Sequence, residues 1–450
     1  MPATQGKNQP ATTRSAGSAI RAIAPLIPLA VALGHSAIST KPTATPPPTQ
    51  IVSTSTSDAP TLAQATASGT PVPMLTKGHP VDWWFIFKLN AKAFPECGGG
   101  ARSCPFGGTV QPYKSFSQQY VYASSESPTL QDGEKSCLGT TTSDPIGASF
   151  DEVYNGNFHY VVWNDQMYGD PIATQDAPWG HSKGIVAWND SGAGFVMQVS
   201  TPSWPASGNV NFPRKTDGNT LGCVKDDDVQ VSQHFFALRL TKNDLVLVLQ
   251  GLANASIVTD PTNKQIVNNG GPDDVQALVS GLGKKSSSDK VVQGTLSLGV
   301  KFLSKPSNLN VPPWQMVSAE LGGVALRTAT WWASPEIPST DATSTITCWD
   351  ESLGTPGPVE IATSGTWEGK VFSLKGGLGT DFNHAKIGVS TTGPASYAIF
   401  GDENQQGTLV KDDKSDCSSS QNGRGGTFYA MQNAPLTASI TNLISPPAQH

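Results

Sequence analysis

The sequence predicts a mixed α/β fold, with mixed sheets and flanking helices. Three observations carry this. Short aromatic and β-branched runs bounded by Gly, Pro, Asn or Ser recur from Pro80 onward. Longer apolar-periodic segments with helix start and stop signals stand between them. Charged residues are only 14% of the 450, while 45 Gly and 35 Pro supply turns. That composition disfavours a coiled coil or a charged disordered chain, and the 11 Trp, 16 Phe and 8 Tyr are ample for a core.

In chain order, residues 1–39 are expected to be disordered and to contain a candidate signal peptide. Lys7, Arg14 and Arg21 precede an apolar run from Ala22 to Gly34, which is too short to span a bilayer. Residues 40–75, mostly Thr, Ser, Pro and Ala, read as a linker that cannot bury enough apolar surface to fold. The fold is then expected over an N-terminal half, 76–285, and a C-terminal half, 286–450. The stretch Lys284-Lys285-Ser286-Ser287-Ser288-Asp289 joins them.

Val81–Leu89, Gln119–Ala123 and Phe158–Trp163 read as strands. Ile185–Trp188, an Asn-Asp-Ser-Gly-Ala-Gly turn and Phe195–Val199 read as a β-hairpin. Segments 228–253 and 272–283 read as helices, the second with an Asp273-Asp274 start and a Gly281 stop. Strands are expected again at 293–304, 321–332, 366–374, 385–390, 396–401 and 426–431.

The formal charge is −6, and Lys7, Arg14, Arg21 and Lys41 against Asp58 leave the chain beyond residue 75 near −9. A basic DNA-coating protein is excluded at neutral pH; a local cationic cleft is not. The six cysteines, Cys97, Cys104, Cys137, Cys223, Cys348 and Cys417, include no CxxC pair and no His at zinc-finger distance. An even, scattered set favours disulfides over a structural metal, and only Cys97 and Cys104 are close enough to suggest a local loop.

Two short segments carry chemistry. His181-Ser182-Lys183-Gly184 leads into one expected strand and His384-Ala385-Lys386 into another. On extended backbone, residues two apart project from the same face. An imidazole beside an ammonium suits a phosphodiester: one group attacks phosphorus or moves a proton, the other holds a phosphate oxygen. Two of the seven histidines stand in this context, one per half. The repetition suggests an internal duplication with two half-sites meeting at one pocket.

With their surroundings, these residues resemble the deoxyribonuclease II family of the phospholipase D-like superfamily. The resemblance runs from about Pro80 to Met431. It includes Val81-Asp82-Trp83-Trp84, Tyr120-Val121-Tyr122, Trp163-Asn164-Asp165-Gln166 and Asn219-Thr220-Leu221-Gly222-Cys223. It continues through both His-x-Lys triplets, Gly401-Asp402-Glu403-Asn404-Gln405 and Arg424-Gly425-Gly426-Thr427.

The resemblance implies a phospholipase D-like pseudodimer of two similar halves in one chain. It also implies a metal-independent acid endonuclease with no cofactor. His181 and His384 would be the attacking base and the acid, and Lys183 and Lys386 the phosphate clamps. A phosphohistidine would form, leaving 3′-phosphate and 5′-hydroxyl ends; which histidine attacks stays open. Asn404 resembles the superfamily's amide ligand to phosphate, and Asp402 stands in the same segment. Asn164 and Asp165 are expected to be a turn supporting the site. The superfamily's Asp beyond the Lys corresponds to Asn189 or Asp190, and Asp190 is the carboxylate that would orient His181. The second half has Ser390-Thr391-Thr392 there.

The expected partner is DNA, without a membrane partner; a homodimer is left open. The expected setting is secreted, periplasmic or a lysosome-like acidic compartment. Two other classes compete: a phosphodiesterase of this fold acting on a non-DNA substrate, and a catalytically inactive DNA-binding relative. Intact His-Lys pairs weigh against the second, and the lack of an amphipathic cationic helix against a lipid substrate.

Overall fold

The computed structural model describes residues 61–95, 104–108, 117–133, 138–139, 141–167, 176–214, 219–223, 229–413 and 416–446. The candidate signal peptide and the linker as far as residue 60 lie outside them. The rest of the expected linker is folded, which corrects the boundary at 75. Thr61 caps helix α1 (Leu62–Ala67) through a capping box with Gln64. Val72 is fully buried, and its N–H donates to Glu152 Oε2 at 3.0 Å. A few apolar residues with partners elsewhere in the chain outweigh the polar composition.

Strands β1 (Met74–Thr76) and β2 (His79–Pro80) form a small ribbon. The first large sheet contains β3 (Trp83–Lys88), β4 (Tyr120–Ser124), β5 (Gln131–Asp132), β6 (His159–Asn164), β7 (Lys183–Trp188), β8 (Gly194–Val199), β9 (Gln233–Leu240) and β10 (Val267–Asn268). Along the same stretch run helices α2 (Pro145–Tyr154), α3 (Lys242–Asn254) and α4 (Asp273–Gly281).

The second sheet begins with β11 (Val292–Thr295), β12 (Val300–Lys305), β13 (Leu326–Ala329) and β14 (Val359–Ile361). A ribbon of β15 (Ser364–Trp367) and β16 (Lys370–Ser373) intervenes, and β17 (Ile387–Ser390), β18 (Tyr397–Gly401) and β19 (Gly426–Gln432) complete the sheet. Its helices are α5 (Pro313–Glu320) and α6 (Ala434–Leu443).

The strand orders are β10-β6-β7-β8-β9-β3-β4-β5 and β11-β12-β19-β18-β17-β13-β14. Five central strands match: β3, β6, β7, β8, β9 correspond to β12, β13, β17, β18, β19, in the same chain order. A helix follows the first strand of each set (α2, α5) and another follows the last (α3, α6).

Both sheets are covered on both faces. Phe85 and Phe236 of the first stack on Phe400 of the second, with ring centroids 4.6 and 4.4 Å away. On the outer face of the first sheet, Trp84 Nε1 donates to Ser149 Oγ of α2, and Phe150 packs on Trp204. On the outer face of the second, Leu303, Ile399 and Phe428 pack with Trp314 and Val317 of α5.

Double coverage also explains a misread element. Residues 228–253 do not form one helix: β9 occupies the first part and α3 the second. Every residue of β9 is buried, so its apolar run lacks alternation and cannot be told from a buried helix by pattern. The break is Thr241, whose capping box with Asp244 starts α3. The expected strands at 293–304 and 366–374 are each split by a turn into hairpin arms.

Cysteine pairing is long-range. Cys104 bonds Cys223 and Cys348 bonds Cys417, so the local Cys97–Cys104 loop is not formed; Cys97 and Cys137 lie outside the described residues.

Candidate active site

The registers of the two sheets bring the His-x-Lys triplets to equivalent places. Lys88 faces Gln233 as Lys305 faces Gly426. Val199 faces Phe235 as Gly401 faces Phe428. Gly184 faces Gln198 as Ile387 faces Phe400. Carried one residue back along β7 and β17, the same register matches Lys183 with Lys386, and His181 with His384.

Each histidine is held by the opposite sheet's chain. His181 N–H donates to Gly425 O at 2.8 Å, and its Nδ1 lies 2.7 Å from Asp402 O. His384 N–H donates to Ser232 O at 2.7 Å, and the main chain of Ser200 bonds its imidazole. Gly425 and Ser232 precede β19 and β9, while Asp402 and Ser200 follow β18 and β8. A carbonyl only accepts, so Nδ1 of His181 carries the proton and Nε2 keeps a lone pair. The approach requires glycines at 180 and 425, where a Cβ would lie 2.6 and 2.3 Å from Ala255 O.

Both histidines open into one pocket of about 410 Å³, walled also by Gln166, Trp331, Leu378, Asn404, Gln421 and Arg424. Lys183 Nζ donates to Asp165 Oδ1 at 2.6 Å, and Arg424 Nη2 donates to Asp165 Oδ2, also at 2.6 Å. Arg424 is fixed further by Nε to Trp179 O and Nη2 to Gly180 O. Lys386 Nζ donates to His384 O at 2.6 Å, and its backbone N–H donates to His234 Nδ1 at 3.1 Å.

Beneath this layer lies a second matched pair. Lys88 Nζ donates to the carbonyls of Val229 and Val231, and Lys305 Nζ to those of Asn422 and Arg424. Both ammonium groups are fully buried and tie down the turns that enter β9 and β19.

Burial pushes both pocket imidazoles well below the usual histidine range, and cations push the same way: Lys183, Lys386 and Arg424 for His181, Lys386 and Lys183 for His384. His234 is lowered by burial and by Lys386. Burial lowers Lys183 too, against the opposing pull of Asp165. Burial raises Asp402 to about 6, although hydrogen bonds from Thr427 and Ser182 oppose the rise.

The remaining candidate residues divide. Asp165 sits between Lys183 and Arg424. Asn164 is buried at the end of β6; its Oδ1 accepts the N–H of Gln166 at 2.8 Å in a turn under the pocket. Asp402 gives its carbonyl to His181 and its carboxylate to Thr427 and Gln198. Asn404 lines the pocket with its Nδ2 on Gln406. Asp190 does not join the site. It lies beyond the other end of β7, exposed, with Oδ1 on His159 Nε2 at 2.8 Å, because a six-residue strand separates it from His181. Asn189, also at that end, bonds Thr70.

Among the described residues, no group of three or more His, Cys, Asp and Glu is arranged to hold a metal ion, and no helix is long and apolar enough to cross a membrane.

A family model described as Deoxyribonuclease II matches residues 73–447. The chain belongs to the deoxyribonuclease II family. Among curated proteins it is similar to Deoxyribonuclease-2-alpha of Mus musculus, 31% identical over 157 residues, 33% of this chain and 38% of that protein. It is 26% identical over 153 residues to Cell-death-related nuclease 7 of Caenorhabditis elegans, 33% of this chain and 35% of that protein. It is 29% identical over 165 residues to Deoxyribonuclease-2-alpha of Sus scrofa, 34% of this chain and 40% of that protein. The matched stretches thus span less than half the length of each of these relatives.

Sequence reasoning missed several residues of this family member's pocket. Arg424 stood in a segment noted for its resemblance but carried no role; its function depends on Asp165, 259 residues away. Trp331 and Leu378 gave no motif. Lys88 and Lys305 did give a signal, each a lysine closing a largely buried strand.

Proposed function

We propose that the chain is an acid endonuclease that hydrolyses DNA phosphodiester bonds without a metal ion. The observation that carries this reading is the pair of register-equivalent His-x-Lys triplets, each histidine gripped by the opposite sheet, opening into one pocket. One neutral imidazole attacks phosphorus through Nε2 as the P–O5′ bond breaks. The other, as imidazolium, gives its proton to O5′. The product is a phosphohistidine on the 3′-phosphate and a free 5′-hydroxyl. The second imidazole, now neutral, takes a proton from water; the water oxygen bonds phosphorus and the N–P bond breaks.

Lys183, Lys386 and Arg424 supply the positive charge that gathers around the phosphoryl oxygens. Burial first, and neighbouring cations with it, hold both imidazoles neutral near pH 7, so the acid partner forms only as pH falls. A bound phosphodiester anion offsets the cations' repulsion and eases that protonation. Acid also reduces the net negative charge that repels DNA. The two disulfides among the described residues suit an oxidising, extracytoplasmic setting, and an acidic compartment suits the histidines.

Plasmid nicking at about pH 5 in excess EDTA, beside a phospholipid headgroup-release assay, tests the reading. Nicking that persists under chelation, without lipid turnover, is expected. Nicking abolished by EDTA and restored by magnesium overturns the metal-free mechanism. Lipid release without nicking overturns the substrate.

A further inference from the structure

The two half-sites match at His, Lys and the backbone acceptors, but not beside the lysines. Asn164 faces Lys183 across β6 and β7, and the next residue is Asp165. In the second sheet Ala329 faces Ile387, so Thr330 falls opposite Lys386 and the next residue is Trp331. Where the first half has a carboxylate gripping Lys183 and Arg424, the second has an indole. Trp331 lies 4.3 Å from the His384 ring, centroid to centroid and edge-on.

A glycine-rich turn lies against that indole. A Cβ on Gly376 would lie 2.8 Å from Trp331 Cδ1 and 2.7 Å from the backbone N of Trp332. Gly377 and Gly379 have φ of 158° and 114°, and between them stands Leu378. The base of the turn is pinned: Gly376 N–H donates to Trp332 O, Asn383 N–H to Lys375 O, and Lys92 bonds both Thr380 O and Asp381. Leu378 itself is 81% exposed, the most exposed large apolar residue described, and it lines the pocket. Trp331 is half-buried, and its indole N–H donates to no described residue, whereas that of Trp332 donates to Ile337 O.

The pocket therefore carries Arg424, backed by the buried Asp165 and Lys183, among polar residues on one side and the apolar Trp331 and Leu378 on the other. A bare phosphodiester has no use for an apolar wall. A nucleotide does, because every base has a π-face and every deoxyribose an apolar edge. We propose that Trp331 and Leu378 form a subsite for one nucleobase and its sugar beside the scissile phosphate, on the His384 side. The proposal rests on the nuclease reading above. The base stacks on the indole, the leucine closes over it, and the Arg424 side of the pocket faces the opposite direction of the strand. The enzyme is then selective for nucleotide diesters over simple alkyl or aryl ones, while staying tolerant of base identity.

The test compares three chromogenic diesters: thymidine 5′-(p-nitrophenyl phosphate), thymidine 3′-(p-nitrophenyl phosphate) and methyl p-nitrophenyl phosphate. The wild type should cleave one thymidine diester about ten-fold better in kcat/KM than the methyl diester, within the range that base–aromatic stacking supplies. Trp331→Ala and Leu378→Ala should each cut that ratio to about two-fold or less, and Trp331→Phe should retain most of it. The ratio is internal to each variant, so a loss of folded protein does not mimic the effect. No thymidine advantage in the wild type overturns the subsite, as does an advantage that survives both alanine variants. Plasmid nicking by the wild type is scored in parallel. Nicking without a thymidine advantage defeats the subsite alone, whereas absence of nicking and of diester cleavage defeats the nuclease reading itself.

Discussion

Asp165→Asn is the most informative single change, because it removes one charge from a buried cluster while keeping the side chain's shape. Asp165 is fully buried, and its two oxygens each take a hydrogen bond at 2.6 Å from a cation whose side chain is itself at least nine-tenths buried. The amide can accept from one of them but presents N–H to the other. Two positive charges then remain in a dry environment with no counter-charge between them. Breaking a buried ion pair from one side costs about 3–5 kcal/mol, so the variant should unfold at distinctly lower denaturant concentration.

The electrostatic consequence has a sign. His181 is already held low by burial and by Lys183, Lys386 and Arg424. Losing the carboxylate that screens two of these cations makes protonation of His181 harder still. The pH–rate profile on plasmid DNA should therefore move to lower pH, whether His181 is the attacking base or the acid. Chemical denaturation and nicking rates across about pH 3.5–7.5 measure both effects. A variant within about 1 kcal/mol of wild-type stability, with an unmoved profile, would refute the account of Asp165 as the counter-charge of the cluster.

His181→Ala and His384→Ala should each lower cleavage by several orders of magnitude, and the double variant should be little worse than either single one, because the pair acts as a unit; steady-state nicking on folded protein decides this. The wild-type rate should peak at roughly pH 4.5–6 and fall with added salt as phosphate contacts release counterions; a maximum above about pH 7.5 contradicts the two-histidine scheme. Glu152, raised by burial to about 7, accepts the Val72 N–H and contributes stability present below its unfolded value and lost as pH rises through 7. Glu152→Gln should match wild type near pH 4.5 and exceed it by about 2–3 kcal/mol at pH 8, measured by urea melts; a variant weaker at pH 8 counters this.

The sequence by itself determined the elements of the candidate site. His181-x-Lys183 and His384-x-Lys386 were legible because a two-residue spacing on extended chain is a local property, and so was the hairpin of β7 and β8. The α/β class followed from punctuation by Gly, Pro and helix caps, which is also local. Composition failed at residues 61–75, where burial of Val72 depends on Glu152 and α2. Pattern failed at β9, because a strand covered on both faces has no polar side to betray its period. Only tertiary structure decided which carboxylate serves the site: Asp190 is near His181 in sequence but a strand's length away in space, whereas Asp165 meets Lys183 across two neighbouring strands and Arg424 from the far end of the chain. It likewise decided that each histidine leans on the other half's backbone, and that an indole stands where symmetry would put a second carboxylate. Contacts between residues hundreds of positions apart are set by sheet register and by how two covered sheets pack, and neither leaves a periodic mark on the chain.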